Sequence, residues 1–239
     1  MSTVRLILII FCLTIFITAS IPIQGFLNVA NTKYKKRFPL FFYKFVRAII
    51  GLHIIKKNLD TNQDTDVSQG ILYVANHVSW FDIICLGSIL NARFIAKKEV
   101  ASMGIFGFLS TLSNTVYIDN ENKKRVVEYN KFINEKLKNG ENFIIFPEGT
   151  TSDGNGVIKF KSSLLQCAID DNHLIKVKPI SICYSHKNNI KMGIYERRLV
   201  SWVGDTNMVQ AMKNFLLTGP VTVTILLHSF VSEEHFGNR

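Results

Sequence analysis

Leu6 to Ile23 is an almost unbroken apolar run whose only hydroxyls are Thr14, Thr18 and Ser20. About 20 such residues suffice for one helix to cross the hydrocarbon core of a bilayer, so the run is long enough to anchor the chain in a membrane. Arg5 ahead of the run and the small pair Ala19-Ser20 inside it would also fit a secretory signal. Against that, apolar residues continue past the pair, and Lys33, Lys35, Lys36 and Arg37 follow. Such a basic cluster keeps the following chain in the cytoplasm. The expectation is a protein of the cytoplasmic (inner) membrane with its globular part on the cytoplasmic side.

The charge pattern agrees. The formal net charge is +10, and no acidic residue precedes Asp60. Nine of the 28 Lys and Arg lie in that first segment, which leaves the rest nearly neutral against 18 Asp and Glu. Leu40 to Ile55, placed on a helix, aligns Lys44, Arg47 and Gly51 in a narrow stripe. Phe41, Phe42, Phe45, Val46, Ile49, Ile50 and Leu52 cover the remainder. That pattern suits an interfacial helix on anionic lipid, although a helix buried on the domain would show it too. A nucleic-acid partner is disfavoured, because the bases interleave with aliphatics and no recognition motif follows. Cys12, Cys85, Cys167 and Cys183 lack Cys-x-x-Cys spacing and sit among apolar neighbours. They form no disulfide framework, as expected in a reducing cytosol.

After a polar, aperiodic stretch at 59–70, short apolar runs alternate with helical patterns. Ile71–Ala75, Arg93–Ala96, Thr115–Asp119 and Asn142–Phe146 read as strands. Ser79–Leu90, Ala101–Leu112 and Glu121–Lys138 read as helices, with Asn120 as N-cap of the third. A helix over Ser162–Asp171, a strand over Ile175–Tyr184, one or two strands within Ile190–Val203, a helix over Asp205–Leu217 and a strand over Val221–His228 complete the pattern. The prediction is an α/β domain with a mostly parallel central sheet flanked by helices. Its expected organisation is membrane-anchoring helices over 1–58, a linker over 59–70 and the globular domain over 71–239.

Two segments carry chemistry. Asn76-His77-Val78-Ser79-Trp80-Phe81-Asp82 follows the first strand and sets a histidine and an aspartate five residues apart. If a tight helical turn follows the strand, the carboxylate folds back on the imidazole, fixes its tautomer and makes it a general base. Much later, Phe143-Ile144-Ile145-Phe146 runs into Pro147-Glu148-Gly149-Thr150. Pro147 ends that strand, Gly149 permits unusual dihedrals, and Glu148 falls at the carboxyl edge, where open α/β sheets bind ligands. Alone, each motif fits a plain structural role: a hydrogen-bonded pair and a strand cap.

Together, Asn-His-x-x-x-x-Asp and Phe-Pro-Glu-Gly-Thr-x-Ser strongly resemble the lysophospholipid acyltransferase family, the membrane-bound 1-acylglycerol-3-phosphate acyltransferases. The resemblance extends from about Ile71 to His228. It takes in Phe94-Ile95-Ala96-Lys97-Lys98-Glu99, Val116-Tyr117-Ile118-Asp119 and Val177-Lys178-Pro179-Ile180. It implies an O-acyltransferase of phospholipid biosynthesis with no bound cofactor. Acyl carrier protein or coenzyme A would bring the acyl thioester, and membrane lipids would supply the lysolipid acceptor. His77 would take the proton of the lysolipid hydroxyl and Asp82 would orient the ring. Glu148, Gly149, Thr150, Lys98 and Asn120 would bind the acceptor. With 1-acyl-sn-glycerol-3-phosphate as acceptor the product is phosphatidic acid. Ser79 is disfavoured as a covalent nucleophile, because residues i and i+2 of a helix point apart.

Three positions depart from the family pattern. Asn120 and Thr151 stand where arginine is usual, and the usual proline after the Lys-Glu segment is replaced near Gly104. Loss of two guanidinium groups weakens the case for a phosphomonoester, unless Lys97, Lys98, Lys123, Lys124, Arg125, Lys159 or Lys161 substitutes. Thr151-Ser152-Asp153-Gly154, Phe160-Lys161-Ser162-Ser163 and Trp202-Val203-Gly204-Asp205 resemble the branch that acylates lyso-ornithine lipid, the alternative acceptor. A non-catalytic lipid-binding member of the fold is the reading from another class. No metal site is expected: the six histidines are scattered, and no His-Glu-x-x-His occurs.

Overall fold

The computed structural model describes residues 3–59, 69–119, 123–170, 173–203 and 207–231. In chain order, the apolar N-terminus forms α1 (Thr3–Val29), and α2 (Phe38–Ile50) returns beside it after a short 3-10 turn. Next come β1 (Leu52–Asn58), β2 (Leu72–Ala75), α3 (Phe81–Gly87), β3 (Arg93–Lys97), α4 (Gly104–Leu112) and β4 (Val116–Ile118). α5 (Lys123–Lys138), β5 (Phe143–Ile145), α6 (Ser162–Leu165), β6 (Ile169–Asp170), β7 (His173–Leu174) and β8 (Val177–Lys187) follow. The chain continues through β9 (Ile190–Lys191), α7 (Ile194–Arg197), α8 (Met208–Thr218) and β10 (Val221–Leu227).

One eight-stranded sheet organises the domain, in the order β1-β10-β8-β2-β5-β3-β4, with β9 paired to β8. β8, β2, β5, β3 and β4 run parallel. β10 opposes β8, and β1 runs parallel to β10. The expected mostly parallel α/β sheet is therefore the observed one. Its central strands are apolar on both sides, as a covered parallel sheet demands: Phe143, Ile144 and Ile145 are all buried. One core packs Phe81, Leu86, Tyr184 and Phe215 on one side of the sheet, and a second packs Leu72, Ile133, Leu137 and Phe143 on the other.

Several boundaries differ from the sequence reading. The helix expected over Leu40–Ile55 stops at Ile50, where Gly51 takes a left-handed φ of 73° and closes the C-cap. Leu52 to Asn58 then becomes an edge strand of the central sheet, inside the 1–58 segment expected to anchor in the membrane. Its alternation is weak because one face of an edge strand is open. Ile190–Val203, expected as strands, holds only the short β9 and then helix α7. The helix expected over Ser162–Asp171 is shorter as well, giving way to a 3-10 turn at Gln166–Ala168 and then to β6. Residues 60–68 of the expected linker and Asn120, the expected N-cap, lie outside the described residues.

α1 is the one helix among the described residues that is long and apolar enough to cross a membrane. Much of its surface is open, including Ile7, Leu8, Phe11, Ile15, Phe26 and Val29. Phe16 stacks on Phe42 and Phe45 and joins it to α2. Near its end, Gln24 donates to Asn28 Oδ1 and to Lys35 O, while Asn28 Nδ2 donates to Leu112 O at 3.0 Å. These polar ties hold the membrane-associated hairpin against α4.

Candidate active site

β2 ends at Ala75, and the chain turns sharply across the carboxyl edge of the sheet. Asn76 sets this turn. Its side chain accepts from Ile182 N at 2.7 Å and donates to Ile182 O at 3.0 Å. The amide thereby acts as one further backbone unit between β2 and β8, and His77 projects just beyond the sheet.

His77 Nδ1 lies 2.8 Å from Asp82 Oδ2. The same oxygen accepts from Val78 N at 2.7 Å and from Ser79 N at 2.9 Å. The other oxygen accepts from Tyr184 Oη at 2.8 Å. Asp82 is fully buried in the first turn of α3, so its charge is held by four hydrogen bonds in place of water. A carboxylate so held makes Nδ1 the protonated ring nitrogen and leaves Nε2 as the acceptor available to solvent or substrate. Burial, with the Asp82 charge beside it, pushes the Tyr184 phenol well above its ordinary pKa. Tyr184 is therefore a donor throughout the neutral range.

The imidazole stacks on Phe146, with ring centroids 4.1 Å apart and planes 15° apart. Phe146 is the last residue before Pro147, so the two motifs meet through their rings. They also meet through Glu148, whose Oε1 accepts from His77 N at 2.8 Å and whose Oε2 accepts from Ile158 N at 2.9 Å. Glu148 is buried and does not line the cleft. It braces the histidine backbone and closes the loop that follows, in contrast to the acceptor contact expected of it. Further backbone bonds run from Ser152 N to His77 O at 2.7 Å and from Trp202 N to Val78 O at 3.1 Å. Thr151 Oγ1 donates to Trp202 O.

A cleft of about 340 Å³ opens beside His77. Trp80, Ile83, Phe94, Met103 and Phe146 give it an apolar wall, and Gly149, Thr150 and Thr151 give it a polar rim. Gly149 takes φ +67°, and a Cβ there would lie 3.0 Å from Lys161 Nζ. Lys161 thus lies across the Glu-Gly-Thr turn, while Lys97 lines the cleft from the end of β3. Lys98, expected to bind the acceptor, is directed to Asp119 at 2.8 Å. Lys97 ends β3 and reaches the cleft, whereas Lys98 opens the 3-10 turn Lys98–Ser102 that follows the strand. Asn120 lies outside the described residues. Ser79 is buried and absent from the cleft lining.

Of the expected site residues, the fold brings His77, Asp82, Glu148, Gly149 and Thr150 together. Sequence reasoning missed Tyr184, the ring contact of Phe146 and the bracing use of Glu148, while Lys97 was one of seven cations it offered as substitutes for the absent arginines. Only the alternation of β8 could have flagged Tyr184 as a residue facing the same side as the helix that holds Asp82.

A family model described as Acyltransferase matches residues 53–184. The chain is 31% identical over 229 residues to the lyso-ornithine lipid O-acyltransferase of Brucella abortus (strain 2308), covering 94% of this chain and 84% of that protein. The chain belongs to the acyltransferase family. It is also 39% identical over 101 residues to the 1-acyl-sn-glycerol-3-phosphate acyltransferase of Neisseria gonorrhoeae, covering 42% of this chain and 40% of that protein. The 1-acyl-sn-glycerophosphate acyltransferase from Thermotoga maritima shares the fold, with a TM-score of 0.62 and 22% identity over 98% of this chain and 89% of that one. The acyltransferase therefore combines this family's α/β sheet with a membrane-associated N-terminal helix.

Proposed function

We propose that this acyltransferase moves a fatty acyl group from a thioester to the free hydroxyl of a lysolipid, with His77 as general base and Asp82 as its orienting carboxylate. The observation that carries the reading is the 2.8 Å contact of His77 Nδ1 with a carboxylate anchored by three further bonds. In this reading Nε2 accepts the hydroxyl proton as the oxygen attacks the thioester carbonyl. The tetrahedral intermediate collapses with loss of the thiolate, which takes up the proton from the imidazolium and leaves as the thiol. Asp82 stabilises the imidazolium in between. The apolar wall of the cleft accommodates acyl chain. The thioester arrives on acyl carrier protein or coenzyme A as a co-substrate, and the residues named need no further cofactor. The catalytic domain works on the cytoplasmic side, in keeping with the basic residues that follow α1.

The acceptor we favour is 1-acyl-sn-glycerol-3-phosphate, giving phosphatidic acid. Lys97 in the cleft lining and Lys161 across the Gly149 turn supply cations where the family's arginines are missing. An ammonium is a point charge without the bidentate fit of a guanidinium, so the phosphate would be held less selectively. A second reading, lyso-ornithine lipid, is favoured by the Brucella abortus relative, which aligns over nearly the whole chain. Its headgroup carboxylate could use the same two lysines. Purified full-length protein given either acceptor with one acyl donor distinguishes them. The favoured reading expects phosphatidic acid as the faster product and a raised KM for lysophosphatidate in Lys97→Ala. Faster acylation of lyso-ornithine lipid selects the second reading. Binding of lysolipid with no thiol released would make the protein a lipid-binding member of the fold.

A further inference from the structure

The reaction cleft occupies the carboxyl edge of the sheet. At the opposite edge, a second hollow of about 360 Å³ opens between the α1–α2 turn and the starts of β3 and β5. Four cations line it: Lys35 and Lys36 from the 3-10 turn, Arg93 from the start of β3, and Lys136 from the last turn of α5. Glu141 is the single acid in that lining. Its Oε1 lies 3.3 Å from Lys36 Nζ and 3.9 Å from Lys136 Nζ, and its Oε2 lies 3.1 Å from Arg93 Nη1.

One carboxylate cannot neutralise four cations, and a half-enclosed cavity screens their mutual repulsion less than open water does. Glu141 gathers three of them around one hollow, Lys35 Nζ donates to the neutral Asn31 Oδ1, and the lining keeps an excess of positive charge. Such a place takes an anion with several acceptor oxygens. Its position says where the anion comes from. Lys35 and Lys36 lie on the turn that joins α1 to α2. The flanking residues Phe26, Val29, Tyr34 and Phe41 are exposed and largely apolar. The turn that delivers two of the lysines therefore also carries an exposed apolar surface of the kind that suits lipid. Pro39 and Phe132 give the hollow an apolar side, suited to glycerol and the first methylenes of an acyl chain.

We propose that this hollow binds the phosphate headgroup of an anionic bilayer phospholipid, at a site separate from the reaction cleft. The bound phosphate would bridge the hairpin lysines, Lys35 and Lys36, to the domain cations, Arg93 and Lys136. It would thereby staple the membrane hairpin to the catalytic sheet.

The test uses full-length protein in micelles of a non-ionic detergent doped with phosphatidylglycerol or phosphatidylcholine, with retained lipid counted by native mass spectrometry. Wild-type protein is expected to retain phosphatidylglycerol in preference to phosphatidylcholine. Each lysine removed costs about five-fold in affinity, so Lys36→Ala/Lys136→Ala should weaken retention about 25-fold. Lys56→Ala/Lys57→Ala, which removes two exposed lysines of β1 and the same charge, should not weaken it. Melting curves near that of wild type would show that both variants are folded. Equal loss in the two double variants, or no preference for phosphatidylglycerol, would overturn the site. Inorganic phosphate displacing the lipid at equal concentration would overturn the assignment to a lipid headgroup.

Discussion

Asp82 and Tyr184 stand 102 positions apart in sequence, yet the tyrosine hydroxyl donates to the buried carboxylate at 2.8 Å. The contact ties the turn after β2 to the middle of β8 and fixes the oxygen that the histidine does not use. Tyr184→Phe removes this one bond and leaves the other three on Asp82 intact. The expected result is a kcat about five- to ten-fold lower with KM little changed, and a stability loss of about 1–2 kcal/mol. Initial rates together with thermal unfolding in detergent check both.

Asp82→Asn keeps the shape of the site. Its amide oxygen can still accept from Val78 N and Ser79 N, but it offers no charge to an imidazolium. The rate of acyl transfer is expected to fall about 10³-fold while the protein still folds and still binds lysolipid. A variant within ten-fold of wild type would mean that the carboxylate charge is not used.

Glu148 acts on the histidine through the backbone. In Glu148→Gln one of the two acceptor oxygens becomes an amide NH₂ facing a backbone N–H, either that of His77 or that of Ile158. The expected cost is about 1–3 kcal/mol of stability, with a fall in kcat that exceeds any rise in KM for the lysolipid. A pure KM effect would instead point to direct contact between Glu148 and the acceptor.

These residues also mark what could be read from the chain. The strand–helix alternation from Ile71 onward was visible because buried parallel strands are short apolar runs and helix α5 places Ile133 and Leu137 on one face. The edge strand β1 was hidden because Leu52 to Asn58 follows a helix without a break in composition and is covered on one side only. The pairing of His77 with Asp82 was visible in their local spacing, whereas Glu148, Gly149 and Thr150 were assigned through the family resemblance. Tyr184 was legible in neither, since its role arises only when β8 is laid beside β2. The direction of Glu148, inward to two backbone N–H groups, likewise depends on a loop that the sequence leaves unspecified.

Glu141 offers a pH-dependent check on the lower edge of the sheet. Burial alone would push its carboxyl up, but hydrogen bonds and charges from Arg93 and Lys36 hold it below the ordinary value of 4.5. A carboxyl with a lower pKa folded than unfolded stabilises the fold above its unfolded value, and that contribution is lost as pH falls through the folded one. Glu141→Gln should therefore melt below wild type at pH 7. The gap should close as the pH is taken from 4.5 down through the lower folded value. A gap that stays constant with pH would contradict the ion-pair account.

The most direct measurement is thiol release and product formation by wild type and His77→Ala, with an acyl thioester and lysophosphatidate in one assay. The account predicts acylated lipid and stoichiometric thiol from the wild type. It predicts a loss of at least about 10²-fold in His77→Ala, with an unchanged melting curve. A His77→Ala protein that acylates at the wild-type rate would contradict it.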